Sequence, residues 1–393
     1  MNYPMLQIPS TVDLEPALEF VKQLNAQPSG AKFLALDFSR LQMVRPFGML
    51  VIAHALQTFR DRSPETDIMP IDLPQNDAER YAGHMGFFKA CAIDLGKNPG
   101  QASGSVTYLP ITHKDKPGWM VPGEIKDLGR DLAQKLTQKD RFDPLVTTLA
   151  YAFTEVIRNV AEHSKAQSFW YCAQYWPSRD EAEIALIDSG IGLFKSLSDN
   201  PVLSPHLTNE REALKYALMP GISGKMYPGK RSNPNDDSEN TGFGLYMTYR
   251  ICNEGGNFFI GSGGAGLYRE KGAESRYLDY GLTGVALRLR MKINTLEHYA
   301  DQYHHLFLQD GERIAKEIGF GYIPSAPRMS TMLDHGFDLP KVMYRKGDRV
   351  RHHDKRIGKV TLVEEVSDEL LLTILFEDGQ SERMPADQVA KIQ

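Results

Sequence analysis

Apolar residues recur every three or four positions over residues 12–24, 47–62, 122–139, 145–161, 208–219 and 245–252, and gather into short runs at 32–38, 67–73, 168–175 and 183–188. The first spacing gives a helix one apolar face; short runs between turn-forming residues predict strands. Over residues 1–100 the strand, turn, helix, strand succession predicts a small βαβ-containing α/β unit. Pro99-Gly100, Ser103-Gly104 and Pro117-Gly118 punctuate a short strand at 105–111, which marks a boundary. Past residue 294, periodic stretches at 297–307 and 311–318 predict a helical connector over 294–342 that ends in a Pro-rich link. From 343 to 393 the chain predicts a small β-barrel, with strands at 347–351, 358–363 and 370–376 and Asp378-Gly379 as a hairpin turn.

One helix breaks the simple pattern. Asp143-Pro144 supplies its cap and first turn, and Leu145, Val146, Leu149, Ala152, Val156, Val160 and Ala161 its apolar sides. Glu155, Asn159 and His163 nevertheless fall four apart on one face. Alone, such a stripe is the exposed side of an ordinary helix; facing a cavity, it becomes a row of functional groups.

Two later segments favour the cavity. The apolar run 183–188 ends in Asp188-Ser-Gly190-Ile-Gly192, where glycines let a backbone approach a flat ligand and a strand-end carboxylate can accept from an exocyclic amine. Residues 221–241 are rich in Gly, Pro, Asn, Ser and Asp, carry Lys225, Lys230 and Arg231, and are predicted to form a mobile lid. The lid ends in Gly242-Phe-Gly244-Leu245 at a helix start, whose free N–H groups and positive dipole end suit a phosphate.

Composition narrows the classes. A chain of 393 residues with 41% hydrophobic and 24% charged residues predicts two or three globular domains, and a net charge of -5 argues against wholesale coating of nucleic acid. Cys91, Cys172 and Cys252 fit neither a zinc site nor a disulfide framework. The first residues lack the basic region and apolar core of a signal peptide, and His54 interrupts the longest apolar run, so a soluble cytoplasmic protein with no membrane contact is expected. The adjacent pairs His304-His305 and His352-His353 point apart and read as surface residues.

In their order and spacing, Glu155-x3-Asn159-x3-His163, Asp188-x-Gly190-x-Gly192, the lid and Gly242-x-Gly244-Leu245 resemble the motif boxes of the GHKL ATPase family, which includes DNA gyrase and the histidine and anti-sigma kinases. The resemblance covers roughly residues 105–293 and implies an α+β fold, the Bergerat two-layer α/β sandwich, with a mixed sheet covered by helices on one face. It further implies ATP and Mg²⁺ as cofactors, with Asn159 holding the metal, Asp188 the adenine amine, Gly190 and Gly192 the base, and Gly242 and Gly244 the phosphates; Lys225, Leu245 and Thr283 join the ATP contacts. Thr283 sits one residue off the family's Gly-Thr pattern, with Val285 as the alternative. Glu155 stands where ATP-hydrolysing members and anti-sigma serine kinases carry a general base and histidine kinases carry Asn, which implies activation of a water or hydroxyl.

The flanks extend the expectation. Residues 33–48 resemble the STAS fold of anti-sigma-factor antagonists, but Pro46-Phe47-Gly48 has no hydroxyl where that family is phosphorylated. The C-terminal segment resembles small Tudor or KOW-like barrels, basic in its first half and acidic in its second. The expected function is an ATP- and Mg²⁺-dependent switch that controls how these flanks engage a partner in bacterial regulation or defence. Alternatives are an anti-sigma-type protein serine/threonine kinase and a non-enzymatic nucleic-acid or transcription adaptor. A protein partner is expected; homodimerisation and nucleic acid at the C-terminal barrel stay open.

Overall fold

The computed structural model describes residues 4–28, 30–96, 106–116, 118, 120–225, 227, 242–297, 300–318, 346–352, 356–366, 369–385 and 389–392. Most of the expected lid and the Pro-rich link lie outside the described residues.

The first unit contains β1 (Met5–Gln7), β2 (Thr11–Val12), α1 (Leu14–Asn25), β3 (Phe33–Asp37), β4 (Met43–Val44), α2 (Pro46–Arg62), β5 (Asp67–Ile71), α3 (Asp77–His84) and α4 (Phe87–Ala90). Parallel strands β1-β3-β5 form one small sheet and β2 pairs with β4, as the βαβ pattern predicts. Next come β6 (Tyr108–Asp115), α5 (Pro122–Thr137), α6 (Pro144–His163), β7 (Ser168–Trp176), β8 (Glu181–Asp188), α7 (Gly192–Ser198), α8 (Glu210–Ala217), α9 (Gly244–Gly255), β9 (Gly256–Glu270) and β10 (Arg276–Lys292). Their strands form one sheet in the order β6-β7-β8-β10-β9, every neighbouring pair antiparallel. Because β10 lies between them, β8 and β9 run parallel, and α7 to α9 make the crossover.

This sheet explains why its strands read as unbroken apolar runs: side chains alternate between two buried faces. On one face Phe169, Tyr171, Ile184, Leu186 and Leu289 pack in a core with α5, α6 and α9. On the other, Trp170, Cys172, Ala185, Ile187 and Phe259 pack in a core with α1 and α2. The mixed sheet with helices on one face is therefore corrected. The sheet is antiparallel throughout, and the N-terminal unit adds a third layer, without which those back-face side chains would meet water. The boundary near residue 100 divides the chain but not this core.

A buried ionic network fastens the third layer. Glu183 is fully buried on β8, and its Oε1 accepts from the Phe47 N–H at 3.0 Å in the first turn of α2, which has no side-chain cap of its own. Its Oε2 accepts from Arg290 Nη2 at 2.7 Å and Arg288 Nε at 3.4 Å. Both guanidinium groups also reach Asp13, which caps α1 through the Leu14 N–H. Burial alone would push Asp13 up; Arg288, Arg290 and the Leu14 N–H outweigh it and hold it below its ordinary value. Arg45 pairs with Glu181 and stacks on Trp176.

After the sheet come α10 (Ile293–Glu297) and α11 (Ala300–Ile318), the latter one continuous helix where two periodic stretches are predicted. Gly311 of α11 lies against Phe243 and Tyr246 at the start of α9, where a Cβ would fall 2.9 Å from either ring. The C-terminal unit contains β11 (Arg349–His352), β12 (Ile357–Val366), β13 (Glu369–Phe376), β14 (Ser381–Pro385) and β15 (Val389–Ile392), antiparallel in the order β14-β13-β12-β11-β15. Val350, Val360, Leu372, Ile374 and Phe376 fill its core, and a register shift after Val360 bends β12. The closed barrel is corrected: among the described residues no ladder joins β14 to β15, so the sheet stays open along that seam. None of the described helices is long and apolar enough to cross a membrane.

Removing one member of a buried ion network leaves the others uncompensated. Glu183→Ala is expected to destabilise the protein by about 3–5 kcal/mol in urea unfolding. Tryptophan fluorescence should report this as one transition, since Trp170 and Trp176 belong to the same sheet. A loss within about 1 kcal/mol would show that the network is not what holds the third layer.

Candidate active site

Helix α6 begins where its sequence says it should. The Asp143 carboxylate accepts from the Leu145 N–H at 2.9 Å, and Pro144 occupies the first turn. At its other end Ser164 donates its hydroxyl to Val160 O at 2.5 Å, and Lys165 turns the chain with a φ of 52°. Of the polar stripe, Asn159 lines the cavity.

Asp188 ends β8 and is buried. Its Oδ1 accepts from the Gly190 N–H at 2.7 Å, and the Val285 N–H also donates to it. Gly190 leaves no room for a Cβ, which would fall 2.7 Å from Asp188 Oδ1 and closer still to Ser164 O. Gly284, at a φ of 76° in the β10 bulge, likewise sits against Asp188 O. Burial without a cation pushes Asp188 up to about 7, against the pull of the two N–H donors.

The cavity beside Asp188 has a volume of about 870 Å³ counting its open mouth. Val156, Asn159 and Val160 line it from α6, Leu186, Leu287 and Ile260 from the sheet, and Leu193, Leu197 and Ile222 from the crossover. Such a lining, mostly apolar with a few convergent polar groups, suits a flat heteroaromatic ligand. Gly242, Gly244 and Leu245 bring the start of α9 to the same cavity. Phe243 at the N-cap position makes no side-chain cap bond, and a helix start of this kind presents N–H groups and a positive dipole end that suit an anion. The Gly221 N–H donates to Gly242 O at 3.1 Å here.

The structure thus brings Asn159, Asp188, Gly192, Gly242, Gly244 and Leu245 to one cavity, from segments up to 86 residues apart. Gly190 backs Asp188 from outside the lining. Glu155 is buried directly behind Gly244, where a Cβ would fall 2.5 Å from Glu155 Oε2. Burial raises Glu155, and Arg158, whose Nη1 is 2.7 Å from Glu155 Oε1, opposes the rise. Glu155 and Gly190 therefore stand behind the lining, and two more expected residues lie outside it: Thr283 is exposed on the β10 bulge, and exposed Lys225 donates to Glu162 O at 2.7 Å. Val285 takes the wall position instead of Thr283, because the bulge turns Thr283 outward. His163 closes α6, and its side chain lies outside the described residues.

Ser164, Ser223 and Gly224 also line or border the cavity and are absent from the motif boxes; only the structure shows that the lid's root folds back here. Arg158 was legible at three residues from Glu155, a spacing that pairs side chains on a helix. Among the described residues no three His, Cys, Asp or Glu side chains converge to hold a metal. A Mg²⁺ ion at Asn159 would therefore take most of its oxygens from a phosphate ligand and water, its usual mode in nucleotide sites.

Asp188 makes stability depend on pH. The folded chain keeps a proton that the unfolded chain releases above the ordinary value of 3.8, so stability should fall as pH rises from there to about 7. Asp188→Asn is expected to flatten that slope and to be the more stable protein at pH 8, as read from urea midpoints across pH. An unchanged slope would place the shift on another group.

The chain matches no family model, no curated protein and no solved structure, so the reading of this cavity rests on its own residues.

Proposed function

We propose that the cavity binds ATP and that the chain hydrolyses it slowly, as a switch. The observation that carries this is the convergence of Asp188, Asn159 and the uncapped start of α9 on one cavity, with Glu155 behind Gly244. Asp188 offers the adenine amine an acceptor in an apolar slot, and the N–H groups of α9 offer the phosphates a cradle. Asn159 would hold Mg²⁺, which when bound neutralises phosphate charge. Glu155 is the general base. On this reading the central sheet with α5, α6 and α9 is a Bergerat-type sandwich, extended on its back face by the N-terminal unit.

The switch has a route outward. Phe243 stands between the two cradle glycines and is buried under Gly311 of α11, the helix that leads toward the C-terminal sheet. A ligand that orders α9 and the lid changes the surface on which α11 packs. The partner engaged by the flanks is a protein, with nucleic acid an outcome of the test.

The same base could activate a protein hydroxyl, which would make the chain a serine/threonine kinase. The N-terminal unit is not an internal substrate at α2: Pro46, Phe47 and Gly48 carry no hydroxyl, and the Phe47 N–H is already bonded to Glu183.

Wild-type protein is expected to release phosphate from ATP only with Mg²⁺. Glu155→Ala should lose at least about a hundredfold in kcat while still binding nucleotide in calorimetry. Turnover retained in that variant would remove Glu155 from its role, and transfer of labelled phosphate to a protein in place of water would favour the kinase.

A further inference from the structure

Arg158 lies one turn after Glu155 on α6, and its Nη1 is 2.7 Å from Glu155 Oε1; the two side chains are 17% and 6% exposed. Its Nε faces Glu162 Oε1 at 3.8 Å. Glu155 Oε2 makes no hydrogen bond among the described residues and lies against Gly244, at the uncapped start of α9. One oxygen of the carboxylate is therefore anchored by a guanidinium, and the other is uncommitted and packs against Gly244, which itself lines the cavity. A base oriented in this way by a third group is the arrangement that activates a nucleophile efficiently.

We propose that Arg158 is a positioning residue, anchoring Glu155 through Oε1 so that Oε2 is aimed at the nucleophile beside the start of α9. This rests on the ATP reading above. In the step so served, a water O–H bond breaks and its proton passes to Glu155 Oε2. The water oxygen forms a bond to the terminal phosphorus, and the bond from that phosphorus to the bridging oxygen breaks, its electron pair leaving with ADP. The proton then returns to the phosphate product or to solvent.

Arg158 has a second consequence, on charge. The other charged and titratable groups near the pair are Tyr151 and Glu162 on α6 and Lys126 on α5, while α9 presents Gly244 and its dipole. Arg158 is the cation that opposes the rise in Glu155 caused by burial. Without it Glu155 should hold its proton to higher pH, and a protonated carboxyl cannot act as the base.

The test compares Arg158→Met and Arg158→Lys with wild type in the full chain. For Arg158→Met the expected result is a kcat reduced at least about tenfold at pH 7 with KM for ATP within about twofold. The acidic limb of its kcat profile should move to higher pH, and Arg158→Lys should restore part of both. An unchanged KM also reports that the variant is folded. A readout without turnover is the carboxyl titration in nucleotide-free protein labelled with ¹³C-glutamate. The resonance missing from Glu155→Gln should titrate at higher pH in Arg158→Met. Wild-type turnover with an unchanged kcat and an unmoved limb in Arg158→Met would overturn the proposal. Absence of turnover in wild type overturns the ATP reading instead. An unmoved Glu155 titration would then overturn the role of Arg158 as well, and a moved one would leave it anchoring a base for another substrate.

Discussion

Strand β8 buries a carboxylate on each face of the central sheet, and the rest of the molecule is arranged around the two. Glu183 and Asp188 are five residues apart, so the two-residue period of a strand sends them to opposite sides. A charge in a protein interior is expensive unless compensated. On the back face the compensation is complete: two arginines of β10 and the first turn of α2 surround Glu183, and the docked N-terminal unit supplies the Phe47 N–H to it and Asp13 to the arginines. On the cavity face Asp188 receives two backbone N–H groups and, among the described residues, no cation, and burial lifts it to about 7. The first carboxylate holds layers together; the second is left able to bind something. Perturbed groups of that kind, in a cleft and without a charged partner, are where function is expected.

Much of this was legible in the chain. The helix after Asp143-Pro144, the strand ending at Asp188 and the glycines that open α9 all stand where their spacing and cap residues predict, because caps, apolar periods and Gly-containing turns are local signals. The third layer was not legible as such. The unbroken apolar run of β8 hinted at burial on both faces, but Arg288 and Arg290 meet Asp13 across more than 270 positions of sequence, and no local pattern announces such a pair. The outward turn of Thr283 was hidden for a related reason: between Tyr280 and Val285 β10 advances five positions while β9 advances two, and an odd number of extra residues moves a side chain to the other face.

Glycines carry the site in a way that composition alone does not reveal. At Gly190 and Gly244 a side chain would occupy the space of the Asp188 and Glu155 carboxylates themselves, and at Gly242 it would collide with the lid's root at Gly221 and Ile222. Their role is to let two acids and a helix terminus approach one another. Gly311 does the same between α11 and α9, so α11 rests on Phe243 and Tyr246 at the start of α9. Glu155, the start of α9 and α11 are in this way parts of one packed unit.

The central claim is that Asp188 reads the amine of an adenine ring. Its most direct test is competition in wild-type protein between ATP and the purine riboside triphosphate that lacks the six-amino group, followed by calorimetry with Mg²⁺ present. The account predicts that ATP binds at least about tenfold more tightly, the worth of one hydrogen bond to a charged acceptor. Equal affinities, or no binding of either nucleotide, would contradict it.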